Sequence, residues 1–207
     1  MKKFLFIVTM LMGIALLAVI ILYLNSPKPV IAGMISPKAL PSFQLIDYNK
    51  QQFTEQHLKN NQWKLLYFGY THCPDICPTT LSMLQGMKKQ LNEKYAKDTQ
   101  FIFVSFDTER DTPELLKNYL NFFDPAFLGL SGEKQQAEQL IKMLRVVYLK
   151  VTHKDSYLID HSATIYLINP QGEWVATFQP PFDSLKLSQQ YQSIREHLGE
   201  QKNDQNR

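Results

Sequence analysis

The chain has 207 residues, 44% of them hydrophobic, a formal charge of +3 and two cysteines. Such a length suits one domain and a tether rather than two full domains. Two of the 22 basic residues, Lys2 and Lys3, stand at the extreme N-terminus, so the rest balance the 19 acidic residues to within one charge. That excludes the basic face nucleic acid needs and the polybasic patch that anionic lipid attracts.

From Phe4 to Leu24 only Thr9 and Gly13 are not apolar. As a helix rising 1.5 Å per residue this run is about 30 Å long, the thickness of a bilayer core. The competing reading is a cleaved signal peptide, with an apolar region of roughly 7–15 residues and a small-residue cleavage site. The run ends instead in Tyr23-Leu24-Asn25-Ser26, and no cysteine follows to receive a lipid. Residues 1–24 therefore read as a transmembrane anchor, inserted through residues 4–24. The lysine pair favours an N-terminus that stays inside, which puts the C-terminal domain outside. The start is not rich in Arg and Ser as a transit peptide would be, which favours a bacterial inner membrane and a periplasmic domain.

Residues 25–41 hold Pro27, Pro29, Pro37, Pro41 and Gly33, the composition of an extended linker. The folded domain reads as 42–198, near the common domain size, and 199–207 as a polar, frayed tail. Inside the domain, Phe43–Ile46 and Gln52–Thr54 suggest a short hairpin, and Lys64–Tyr70 a buried strand. Pro78 opens a helical pattern to about Tyr95, with Leu81, Leu84, Met87, Leu91 and Tyr95 on one face. Met83 and Met87 in that helix read as core rather than ligands. A second buried strand follows at Phe101–Phe106.

Asp111-Thr112-Pro113-Glu114 is a helix start, with Asp111 or Thr112 as cap and Arg110 paired with a nearby carboxylate. That helix runs to about Phe122. A short strand near Phe127–Leu130 precedes a helix from Glu133 to about Leu144. Val146–Val151 and Tyr157–Ile159 form a hairpin, and Ala163–Ile168 and Trp174–Phe178 are strands joined by Asn169-Pro170-Gln171-Gly172. Ser184–Leu198 closes the domain as an amphipathic helix. Strands alternating with helices of this length predict an α/β fold, a mixed sheet with helices on both faces.

Cys73 and Cys77 lie four positions apart in Thr71-His72-Cys73-Pro74-Asp75-Ile76-Cys77-Pro78, between a buried strand and a helix. Loops after central strands are where open α/β sheets place their sites, and a helix N-terminus stabilises thiolates. Outside the cytoplasm such a pair is either a disulfide or a pair of thiolates on a soft metal. A bridge across so small a loop would restrain the unfolded chain little, so a purely structural role is disfavoured.

Tyr70-Thr71-His72-Cys73-Pro74-Asp75-Ile76-Cys77-Pro78 resembles the signature of the Sco/SenC family, thioredoxin-like copper proteins of cytochrome oxidase assembly. Asp107-Thr108-Glu109-Arg110-Asp111-Thr112-Pro113 and Tyr157-Leu158-Ile159-Asp160-His161-Ser162 are similar to two further segments of that family, in the same order. The resemblance implies a thioredoxin-like fold with an extra β-hairpin, and a copper site made of Cys73, Cys77 and His161. It also implies delivery of copper to the copper A centre of cytochrome c oxidase subunit II, with an upstream copper donor and a thiol reductant as further partners. The chemistry agrees: two thiolates and an imidazole suit Cu(I), and Cu(II) could be held with a further weak ligand. Asp160 is a candidate to orient the imidazole. Asp75 could steer an incoming partner, and His72 could lower a thiol pKa or face solvent.

The alternative function is a thiol–disulfide oxidoreductase in which Cys73 and Cys77 are the redox pair that reduces the client's cysteines before metallation. Two features speak against it as the main role. Thioredoxin-like redox enzymes use C-x-x-C where this chain has C-x-x-x-C. They also place a cis-proline at the position that alignment with the fold gives to Ala163. A peroxidase would need a pocket that the Cys73–Cys77 segment does not resemble, and a sensor role would leave no mark in the sequence.

Overall fold

The computed structural model describes residues 12–14, 16–17, 32–153 and 156–205. Most of the predicted anchor and residues 25–31 of the predicted linker lie outside the described residues. Among the described residues no helix is long and apolar enough to cross a membrane. Contacts divide the chain into residues 1–30 and residues 31–207, and the second unit holds the sheet.

Among the described residues of the second unit, ten strands and five α-helices follow in chain order, with a short 3-10 helix at Glu55–Leu58. They are β1 (Met34–Ala39), β2 (Gln44–Asp47), β3 (Gln52–Thr54), β4 (Trp63–Gly69), α1 (Ile76–Gln90), α2 (Glu93–Lys97), β5 (Thr99–Ser105) and α3 (Pro113–Phe123). Then come β6 (Leu128–Ser131), α4 (Lys134–Leu144), β7 (Tyr148–His153), β8 (Ser156–His161), β9 (Ile165–Ile168), β10 (Glu173–Phe178) and α5 (Ser184–Gln205). Eight strands form one sheet in the order β1-β10-β9-β4-β5-β6-β2-β3, and β7 and β8 pair only with each other. β4, β5 and β6 run parallel, while β9 pairs with β4 antiparallel. This is the expected mixed α/β sheet with an extra hairpin.

The centre of the sheet explains why the chain folds this way. Every residue of β4 after Trp63 is buried, as are Phe101–Ser105 of β5 and all of β9. Such runs are largely apolar on both faces because helices and further chain cover both. Buried Lys64 and Ser105 are the exceptions, and each donates a hydrogen bond, to the Gln62 carbonyl and to Asp111. Helices α1 and α5 pack on each other, α3 on β6 and α4 on β2. At the far end of the sheet Arg195 donates to both carboxylate oxygens of Asp98 at 2.6 Å and stacks near Trp63 and Tyr95, tying α5 to the start of β4.

Four boundaries differ from expectation. The second half of the predicted linker is an edge strand: β1 pairs with β10, with an irregularity between Met34 and Lys38 that spans Pro37. An edge strand tolerates proline because its outer N–H groups need no partner, so prolines alone did not mark a linker. The single helix expected to reach Tyr95 breaks at Leu91, whose backbone is extended. Asn92 there caps the short α2 by accepting from the Tyr95 N–H. The helix begins at Ile76, two residues before Pro78. Its first-turn N–H groups need no intrahelical partner, so proline fits there too. Finally, α5 continues through Gln205 and so takes in most of the predicted frayed tail.

Candidate metal centre

Topology brings the three distinctive segments to one end of the sheet. The cysteine loop leaves the C-terminal end of β4, and residues 106–112 leave the C-terminal end of the neighbouring parallel strand β5. In register, Gly69 stands opposite Ser105, and the Phe106 N–H donates to the Gly69 carbonyl. Because β9 runs antiparallel, its start, at Ile165, lies opposite Tyr67. The chain just before β9, which carries His161, therefore arrives at that same end.

Cys77 is the second residue of α1 and is fully buried; Cys73, in the loop before it, is 8% exposed. Both sulfurs are free thiols. The Cys77 N–H at the helix start points to Cys73 Sγ at 3.4 Å. A thiolate at Cys73 also accepts from the Cys77 thiol and from the Asp75 N–H. Together these bonds, the Cys77 thiol foremost, outweigh burial and pull Cys73 down to about 4. Cys77 moves the other way: burial first, then its bond to Cys73, pushes its thiol up. One sulfur is thus poised as thiolate while the other keeps its proton until a cation replaces it.

Gly69 makes this packing possible. A Cβ there would stand 2.6 Å from Cys77 Sγ and 2.7 Å from the Phe103 ring. Only a glycine lets the end of β4 lie against the sulfur, a contact that sequence reading passed over.

His161 is the last residue of β8, paired with Tyr148, rather than part of the strand that begins at Ile165. Its ring lies among Phe106, Tyr70 and Tyr67, with centroids 5.1, 6.1 and 6.2 Å away. Nδ1 is 3.0 Å from the Ser162 carbonyl. A carbonyl can only accept, so Nδ1 carries the proton and Nε2 keeps its lone pair. Nε2 stands 3.2 Å from Cys77 Sγ and 3.8 Å from Cys73 Sγ. The three donor atoms all fall within 4.8 Å of one another, and among the described residues this is the one cluster of its kind. Donors bound to one ion at about 2.0–2.3 Å lie up to about 4.5 Å apart, so the trio is within reach of a single metal. A cavity of about 300 Å³ opens over it, lined by Pro74, Asp75, Ile76, Leu158 and Asp160 among others.

The remaining predicted residues fall elsewhere. The Ser162 carbonyl, not Asp160, orients the imidazole; alternation along β8 turns Asp160 to the opposite face, where it is exposed at the cavity rim. Asp75 is exposed at the start of α1 and its Oδ1 accepts from Thr79. His72 is exposed, with Nδ1 3.1 Å from Thr71 Oγ1 and 3.9 Å from Asp111, so it sides with the surface rather than the thiols. Met87 is core, as expected.

The segment after β5 does more than start a helix. Thr112 caps α3 by accepting from the Leu115 N–H, which frees Asp111. Its buried carboxylate accepts from the Thr71 N–H (3.0 Å), Thr71 Oγ1 (2.6 Å) and Ser105 Oγ (2.5 Å). Arg110 pairs with Asp107 at 2.6 Å, as expected.

Comparison with known proteins gives the same picture. The family model described as SCO1/SenC matches residues 35–196. A "SCO2-like protein" of Rickettsia felis is 36% identical over 184 residues, covering 85% of this chain and 88% of its own. Among solved structures, Arabidopsis thaliana ScoI with copper bound matches with a TM-score of 0.71 at 32% identity, over 76% of this chain and 98% of the other. Bradyrhizobium japonicum ScoI with copper bound matches at 0.67 and 37%, over the same shares.

Proposed function

The chain belongs to the SCO1/SenC family, and from that membership we propose that it is a copper carrier whose cargo is held by Cys73, Cys77 and His161. The observation that carries this reading is the convergence of two sulfurs and one imidazole nitrogen within 4.8 Å beneath an open cavity. Soft thiolates with an imidazole select Cu(I), which accepts three ligands; Cu(II) would take a further weak ligand. A structural zinc site normally closes with a fourth protein ligand, and among the described residues no fourth His, Cys, Asp or Glu joins the trio. Three ligands and an open face also suit a metal that must be handed on, because an incoming donor has room to attack.

The client is the copper A centre of cytochrome c oxidase subunit II, as the family resemblance implies, with an upstream copper donor and a thiol reductant completing the route. The apolar segment 4–24 supports anchoring in a bacterial inner membrane with the domain in the periplasm. Sharing a membrane with the client raises effective concentration without any new contact. Delivery is tested by mixing the copper-loaded full chain with the reduced soluble domain of subunit II and measuring copper in the re-isolated domain. Transfer from wild type is expected. Retention of all copper by the carrier would reject the delivery role.

One arrangement favours a second reading, a thiol–disulfide oxidoreductase: Cys73 lines a cavity where its hydrogen bonds pull its thiol down, beside a Cys77 whose thiol burial pushes up. In that reaction Cys73 thiolate attacks one sulfur of the client's disulfide and expels the other as thiolate. Cys77, losing its proton, then displaces the second client sulfur and leaves a Cys73–Cys77 disulfide. His161→Ala separates the two readings, since the reductase keeps its exchange rate in that variant while the copper carrier loses its cargo.

A further inference from the structure

Residues 107–111 supply no ligand, yet they touch both halves of the metal centre. At one end Asp111, 2% exposed, holds the cysteine loop through its bonds from Thr71 and is itself anchored by Ser105 and, at its carbonyl, by Ser131. At the other end Asp107 and Arg110 grip Tyr157 on the hairpin. The Tyr157 hydroxyl donates to Asp107 at 2.6 Å, and Arg110 Nε donates to the same carboxylate at 2.6 Å. Arg110 Nη1 donates to the Tyr157 carbonyl at 3.1 Å, and the guanidinium carbon stands 3.6 Å from the Tyr157 ring centre. Lys150 of β7 stands at the same distance from that ring and reaches Glu109 at 3.2 Å.

We propose that residues 107–111 are a crosspiece that sets the position of His161 relative to the two cysteines, with Asp107, Arg110 and Tyr157 as positioning residues. This rests on reading the trio as a metal site. Tyr157, Ile159 and His161 share one face of β8, as alternate residues of a strand must. That face presents in turn the gripped ring, a buried contact and the ligand. Tyr157 sits about 13 Å along the strand from His161 at 3.3 Å per residue. An isolated two-stranded hairpin is marginal in water, and β7 and β8 hydrogen-bond to no strand of the main sheet. What fixes β8 is therefore its attachments: the grip on Tyr157, the bond from the Ile159 N–H to the Tyr70 hydroxyl at 3.0 Å, and the ring packing around His161. Releasing the first through Tyr157 leaves the histidine end held by fewer points, while Asp111 keeps its bonds to the cysteine loop.

The test is Cu(I) competition titration of the reduced full-length protein for wild type, Tyr157→Phe, Arg110→Gln, His161→Ala and each of the first two combined with His161→Ala. Tyr157→Phe keeps the ring and loses the bond to Asp107. Outer partners of metal ligands are typically worth about 10–100-fold in affinity, so a loss of about 10-fold is expected from Tyr157→Phe and more from Arg110→Gln. In the His161→Ala background both should cost nothing further, because their effect passes through that ligand. Equal losses in both backgrounds, or none in either, would overturn the proposal. A metal-free arm reads the same device: hydrogen exchange in β7 and β8 should quicken in both variants while β4 and β5 keep wild-type protection. Unchanged exchange in the hairpin would overturn it as well. Failure of wild type to bind copper would instead sink the copper reading and leave this second arm standing.

Discussion

Cys73 and Cys77 belong to the packed centre of the molecule, whereas His161 is carried by a hairpin outside the main sheet. Cys77 lies on the glycine that ends β4 and under the first turn of α1, with its sulfur wholly buried. The hairpin leaves Val147 and Leu149 largely exposed, with Leu158 on the same outer face. Mutations around the cysteines should therefore disturb packing and binding together. Those around the histidine should disturb binding with little effect on stability.

The largest effect expected from this contrast is on the ligands themselves. Cys73→Ser and Cys77→Ser should each weaken Cu(I) binding by more than the about 100-fold upper range of outer partners, measured by chelator competition. His161→Ala should also lose tight binding, yet melt within a few degrees of wild type. A melting temperature that fell as far for His161→Ala as for a core truncation would break the comparison.

Gly69→Ala comes next. Its Cβ would press on Cys77 Sγ and on the Phe103 ring at under 3 Å, and overpacking of this kind costs about 1–3 kcal/mol. Thermal melts and Cu(I) titration should decline together, since the displaced sulfur belongs to the proposed metal site. Wild-type stability in this variant would mean that the cysteine half is looser than its packing implies.

The smallest effect concerns the link between the halves. Burial raises the Asp111 carboxyl above its ordinary value of 3.8. The folded state then binds that proton more tightly than the unfolded chain does. The stability this contributes is full below the ordinary value and is lost as pH rises through the folded one. Asp111→Asn does not titrate, so the melting temperature of wild type relative to the variant should fall as pH rises above about 4. A difference that stays constant or rises would show that the bonds from Thr71 and Ser105 outweigh burial.

The sheet was legible in the sequence for physical reasons, and the candidate metal trio through three separated motifs that resemble one family. Buried strands such as KLLYFG announce themselves by largely apolar character, whereas a lone histidine such as His161 would not stand out without that resemblance. Other features depend on contacts that no local pattern encodes. The strand Met34–Ala39 hid behind Pro37, because an edge position removes the usual penalty. Asp111 and Thr112 were alternative helix caps; Thr112 took that place and left Asp111 to bind a loop 40 residues earlier in the chain. Asp160 was the natural candidate to orient His161 until β8 turned its side chain to the other face and Ser162 supplied a carbonyl. Gly69 carried no signal at all, since its meaning lies in the sulfur that packs against it.

The most direct measurement is X-ray absorption on the Cu(I) complex of the reduced full-length protein, prepared at one equivalent and checked against a competing chelator. The account predicts a one-to-one complex whose copper has two sulfur ligands and one nitrogen ligand, with the nitrogen lost in His161→Ala. A complex with sulfur ligands alone in wild type, or no competitive binding beside a measurable disulfide exchange rate, would contradict it.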